Sequence, residues 1–139
     1  MSIEQLLFEE AKELIENRYP KGWGGAAAMH TKSGKIYTSV APEVINASTE
    51  LCIETGSILE AHKEEEVITH SLCLVRDDES SAFKILTACG TCQERLLYWG
   101  RGVKVAVTSN YHDNIEFKTL EALQPYHWTH AYDDIEFEE

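Results

Sequence analysis

Two short stretches decide how this chain is read: TACGTCQERL, residues 87–96, and STELCIETG, residues 48–56. The first sets Cys89 and Cys92 three apart, where a loop is expected to feed a helix. Unpaired N–H groups at such an entry carry partial positive charge and stabilise thiolates. Taken alone, the pair is open to three readings: a redox couple, half of a zinc site, or buried core residues. A thioredoxin-type couple follows the first strand of its domain, whereas this pair comes late. The second stretch adds Cys52 and, two residues on, Glu54. Three thiolates occupy three corners of a zinc tetrahedron and leave the fourth for water, which zinc makes acidic near neutral pH. Glu54 lies too close along the chain to Cys52 to be a fourth ligand and is placed as a proton shuttle.

Around these stretches, periodicity predicts alternating helices and strands. Ile3, Leu6, Leu7, Ala11, Leu14 and Ile15 give residues 3–17 one apolar helical face, with Ser2 as N-cap and Pro20 beyond the end. Residues 26–31 and 35–40 read as a hairpin closed by Lys32-Ser33-Gly34. A second helix is expected over 49–62, with Leu51, Thr55, Ile58, Leu59 and His62 on one face. Residues 67–75 read as a buried strand containing Cys73, a core residue. FKILTA at 83–88 leads to the cysteine loop and a third helix. A strand follows at 103–109, a short one at 115–118 and a short helix at 119–123. This order predicts a single domain over 1–139, with 125–139 as a C-terminal tail. The fold class is α/β: a three-layer α/β/α sandwich around a mixed, about five-stranded sheet.

Bulk properties bound the function. A chain of 139 residues, 43% hydrophobic, suffices for one domain with a sizeable core. Its formal net charge is -12, and it shows no basic patch, which argues against polynucleotides and anionic membranes as partners. Small neutral or cationic molecules remain. The acidic runs at 63–66 and 133–139 read as a solvated face and a frayed tail. The N-terminus lacks the basic start and apolar block of a signal peptide, so cytoplasm is the expected compartment. Disulfides do not persist there, which turns close cysteines towards metal or catalysis.

Cys52-Ile53-Glu54 together with Ala88-Cys89-Gly90-Thr91-Cys92 resembles the zinc-dependent cytidine deaminase superfamily, which carries His/Cys-Ala-Glu and Pro-Cys-x-x-Cys. The resemblance implies one zinc ion per chain, held by Cys52, Cys89 and Cys92. It implies Glu54 as the acid/base moving protons from water to the ring nitrogen and the departing ammonia. It also implies a cytidine deaminase-like fold, a small-molecule nucleoside substrate of pyrimidine salvage and a homo-oligomer, tetramer or dimer. Glu43 matches the glutamate with which the family holds the ribose, and Trp23 falls where the family often has an aromatic at the pocket wall. Tyr126 and Trp128 resemble the Tyr-x-Trp end of blasticidin S deaminases, which act on an aminoacylated cytosine nucleoside.

Four positions depart from the pattern. Ala88 replaces proline, Ile53 replaces alanine, and Ala41 replaces the asparagine that accompanies the ribose glutamate. Gln93 stands where the family often has an arginine that offsets thiolate charge; it carries no charge to do so, although its amide is able to donate to a thiolate. The leading expectation is hydrolytic deamination of a cytosine nucleoside to its uridine form. A blasticidin S-type deaminase, a catalytically degenerate zinc-binding module and a thiol oxidoreductase are the alternatives.

Overall fold

The computed structural model describes residues 1–109 and 114–139. Helix α1, Ile3–Arg18, starts as expected: the Gln5 amide donates to Ser2 Oγ at 3.1 Å, satisfying one of the first-turn N–H groups. Strands β1, Gly24–Thr31, and β2, Ile36–Ser39, form the expected antiparallel hairpin. Strand β3, Ile68–Arg76, pairs antiparallel with β1 along its whole length, with an irregularity between His30 and Thr31. Strand β4, Lys84–Ile85, is a short antiparallel addition to β3. Strand β5, Lys104–Ala106, runs parallel to β3, and β6, Phe117–Thr119, closes the other edge antiparallel. The sheet is therefore mixed, ordered β2-β1-β3-β5-β6, with β4 also paired to β3. Parallel strands need a crossover, and the chain between β3 and β5 supplies it with β4 and helix α3, Gly90–Leu96.

Strand alternation separates two cores. On one face Ala26, Ala28, Leu72, Leu74 and Ala106 meet Leu7, Ala11 and Ile15 of α1. On the other, Met29, Ile68 and Val105 meet Ile58 and Ala61 of helix α2, Thr55–Lys63, and Cys92 and Leu96 of α3. The α/β/α expectation holds, and the three consecutive alanines of β1 admit a helix layer on each side.

Several boundaries differ from expectation. Helix α2 begins at Thr55, not near residue 49; Ala47–Thr49 form a separate 3-10 turn capped by Asn46, whose Oδ1 accepts from Ser48 N at 3.0 Å. Cys52 thus precedes the helix in a turn, and Leu51 and Leu59, expected on the buried face, are exposed. The sheet strand expected at 103–109 spans only Lys104–Ala106, although Val107 N still donates to Glu116 O. The acidic tail is docked rather than frayed. Phe137 packs on the second core under the Arg101 guanidinium, and Glu138 N donates to Tyr98 O at 2.9 Å. In the 63–66 run, Glu66 accepts from Ser33 Oγ at 2.7 Å and pairs with Lys35. Helix α4 spans Leu120–Leu123. Among the described residues no helix is long and apolar enough to cross a membrane.

Candidate active site

The thiols of Cys52, Cys89 and Cys92 lie within 4.8 Å of one another, and Cys52 Sγ is 3.2 Å from Cys89 Sγ. Zinc–sulfur bonds of about 2.3 Å at tetrahedral angles separate sulfurs by about 3.8 Å, so the spacing fits the ion. The same geometry weakens the redox reading, because three thiols converge rather than two. Each ligand is placed differently. Cys92 is fully buried in α3, Cys89 caps that helix from an exposed position, and Cys52 sits half-buried in the turn before α2.

The thiols differ electrostatically as well. Burial, then the hydrogen bond and charge of Glu54, push the Cys92 thiol up. Burial also raises Cys89, but backbone N–H donation from Cys92 and Thr91 together with the neighbouring thiols outweighs it and lowers Cys89 overall. Cys52 is raised, chiefly by its hydrogen bond with Cys89 and then by burial. Thiolates must form for metal to bind, and the N–H groups at the start of α3 favour the first of them at Cys89.

Glu54 is the N-cap residue of α2 and only 5% exposed, an unusual setting for a carboxylate on a helix end. It touches the electrostatics of Cys92 on one side and Cys73 on the other. Cys73, read from sequence as core, is indeed buried on β3, and burial followed by the Glu54 charge raises its thiol. Ser39 Oγ donates to Ile53 O at 2.7 Å and lies 2.7 Å from the fully buried Ser57 Oγ. Ser39, backed by Ser57, grips the carbonyl of Ile53, the residue between Cys52 and Glu54. Gly56 permits the grip, since a Cβ there would stand 2.8 Å from Ser39 Cβ.

Gln93 does not face a thiolate. Its Nε2 donates to Ala88 O at 2.7 Å, because the side chain turns back along the first turn of α3. Arg95 Nη1 instead reaches Thr55 Oγ1 at 3.4 Å, bringing a cation to the residue after Glu54. Trp23 and Ile53 converge on Gly25, where an added Cβ would lie 2.9 Å from both Trp23 Cη2 and Ile53 Cδ1. Trp23 is thereby set beside the Cys52–Glu54 turn, at the end of a loop fixed by Arg76 donating to Tyr19 O and by Gly22 N donating to Glu79 at 2.7 Å. Glu43 is exposed and 3.5 Å from Arg18.

Tyr126 and Trp128 are not brought to the cysteines of their own chain. Trp128 Nε1 donates to Glu94 Oε1 at 2.9 Å on the outer side of α3, where it borders a cavity of about 480 Å³ with Leu59, His62 and Tyr98. Tyr126 is almost fully exposed. Of the histidines, His30 and His70 both engage Thr69 Oγ1, at 2.8 and 2.9 Å, as satisfied polar residues. Sequence reasoning missed Ser39, Ser57 and Gln124. Gly56, directly after Thr55, was the only local signal that something packs closely there.

No family model matches the chain, and neither does any curated protein sequence. Solved structures do. The crystal structure of the cytidine deaminase from Bacillus anthracis is 60% identical, with 96% of this chain and 94% of that one aligned at a TM-score of 0.93. The cytidine deaminases from Mycobacterium leprae and Mycobacterium tuberculosis, each 19% identical at TM-scores of 0.68, share the fold. With three thiols gathered beside a buried glutamate and a relative this similar over nearly its whole length, the chain belongs to the cytidine deaminase family.

Proposed function

We propose that this protein is a zinc-dependent hydrolase that converts cytidine, deoxycytidine or a close analogue to the uridine form and releases ammonia. The observation carrying this reading is the convergence of Cys52, Cys89 and Cys92 next to buried Glu54, in a chain 60% identical to a cytidine deaminase. The three thiolates would hold one zinc ion, which when bound supplies an acidified water. Glu54 would accept a proton from the attacking water at its carboxylate and pass it to the ring nitrogen beside C4. It then delivers the second proton to the exocyclic amine, which departs as ammonia while C4 keeps the water oxygen. Burial of Glu54 excludes bulk water from these transfers, and the Ser39–Ser57 pair holds the turn that presents it.

Glu43 is assigned to the ribose hydroxyls and Trp23 to the pocket wall, the latter supported by its approach to Ile53. Tyr126 and Trp128 are assigned to a pocket completed by a neighbouring subunit of a homo-oligomer. That role fits their exposure and their distance from their own chain's cysteines. A single domain, no polynucleotide partner and a cytoplasmic place of action complete the reading; four free cysteines are consistent with the last. A blasticidin S-type substrate is the second reading, favoured by Ala41 beside the ribose position and by the charge of -12, which suits a cationic ligand.

The test is ammonia release from cytidine, deoxycytidine, cytosine and blasticidin S by protein of measured zinc content. Release abolished in Glu54→Gln supports the deaminase, and the preferred compound decides between the two readings. One zinc per chain without release from any compound would favour a degenerate binding module. No zinc would sink the site.

A further inference from the structure

The three ligands are not held equally by packing. Cys92 is fully buried, whereas Cys89 is exposed and is held by polar contacts rather than packing: the Thr91 and Cys92 N–H groups and the Cys52 sulfur reach its thiol. Its direction depends on the two peptide planes that flank its Cα, those ending in Ala88 O and Cys89 O. Both carbonyls are engaged by one residue: Gln93 Nε2 donates to Ala88 O at 2.7 Å, and Gln93 N donates to Cys89 O at 2.9 Å. Fixing both planes fixes the φ of -65° and ψ of 165° from which the Cys89 side chain projects.

Gln93 is itself held. Gln124 Nε2 donates to Gln93 Oε1 at 2.7 Å, and this pairing sets the amide orientation, since the flipped form would oppose two donors and two acceptors. Gln124 ends α4, with its N–H on Leu120 O, and its carbonyl accepts from His127 N at 3.2 Å. His127 Nε2 in turn lies 2.6 Å from Glu94 Oε2. Residues 93 and 94, directly after the buried ligand, thus grip the chain that grips Gln93.

We propose that Gln93 is a positioning residue of the zinc centre: its side-chain amide pins the peptide plane before Cys89, while its backbone N–H, a helix bond that any residue but proline would make, holds the plane after it, with Gln124 acting through the amide. The inference rests on the zinc-site reading above. It also joins two departures from the family pattern: the hydrogen bond to Ala88 O restrains by a side chain the position where proline would restrain φ through its ring.

The experiment measures zinc affinity by chelator competition, and the d–d absorption of the cobalt-substituted protein, for the parent, Gln93→Met, Gln124→Met and the double variant. Methionine keeps the length of the side chain and removes the amide. Gln93→Met is expected to weaken metal affinity about 10- to 100-fold, as loss of partners that orient a ligand does, and to shift the cobalt band. Gln124→Met is expected to weaken it less, and the double variant to match Gln93→Met, because the second residue acts through the first. Parent-like affinity and spectrum in Gln93→Met, or a double variant equal to the product of the singles, would overturn the proposal. Should Gln93→Met not fold, unchanged affinity in Gln124→Met overturns it alone. A parent that binds no zinc fails the site reading itself, which is a different result from a parent that binds zinc and variants that bind it equally well.

Discussion

The two faces of the sheet are built from the same strands but to different ends. Against α1, the buried cluster is aliphatic, Leu7, Ala11 and Ile15 on Ala26, Ala28, Leu72 and Leu74, with buried Arg76 at its edge donating to the carbonyl of Tyr19, which ends the helix. Against α2 and α3, apolar residues such as Met29, Ile58 and Leu96 share the layer with Cys92, Cys73, Glu54 and Ser57. A carboxylate and several thiols in a dry layer cost stability unless each has a partner. The difference teaches that the α1 face carries stability with little chemical demand, leaving the opposite face free to hold reactive groups.

This division is broken most severely at Glu54. Glu54→Gln is expected to lower the deamination rate about 10²- to 10⁴-fold while zinc content and thermal unfolding stay near those of the parent. Steady-state kinetics beside metal analysis checks it. A comparable loss of both activity and metal would show that Glu54 serves the ligand set rather than proton transfer.

The converse cut is Leu72→Ala, which empties a fully buried position against α1. It is expected to cost about 2–5 kcal/mol of stability, read by urea unfolding, with zinc stoichiometry of the folded protein unchanged. If activity per folded molecule fell with it, the two faces would not be separable.

Ser39→Ala tests how the chemical face is kept in order. It strips the donor from Ile53 O and leaves Ser57 Oγ without that partner, at a cost of about 1–3 kcal/mol. Because it acts on the turn carrying Glu54, kcat should fall more than KM rises; equal changes in both would deny it a positioning role.

The smallest effect lies on the α1 side, at the far end of β1 and β3. Burial, then the charges of His30 and Lys104, hold the His70 pKa below its ordinary value of 6.5, opposed only by Glu4. The fold therefore favours the neutral ring. Its contribution is fully present above pH 6.5 and is lost as pH falls below that value through the folded pKa. His70→Gln should flatten stability between pH 6.5 and the onset of carboxylate protonation, as followed by thermal unfolding across pH. The Glu94 contribution falls in a lower window. His127 first, and then Trp128, depress Glu94, so its share disappears only as pH drops below the usual 4.5.

The sequence foretold the layers and the thiol cluster because both rest on local or typed signals. Apolar periodicity marks α1 and β3, and three cysteines with a nearby glutamate allow few chemistries. It failed where a local signal met a tertiary demand. Ser48 and Thr49 look like the start of a helix, yet Cys52 must turn towards Cys89, so the helix waits until Thr55. The partners of Gln93 were invisible because one of them, Gln124, lies 31 residues away. Phe137 was lost among acidic neighbours, although its ring, with the Glu138 N–H on Tyr98 O, docks that tail.

The crossover between β3 and β5 also has a consequence for how the protein comes into being. Cys52 and Cys89 are 37 residues apart, and the helix that carries Cys92 ends at Leu96, between two strands that must pair side by side. As the chain leaves the ribosome, α1, the hairpin and β3 can assemble while only one of the three thiols has a place to stand. Metal capture is then a late event in biogenesis. The site is complete only once the crossover is in place, and both cores draw on residues within or beyond it, Ala106 on one side and Leu96 and Val105 on the other.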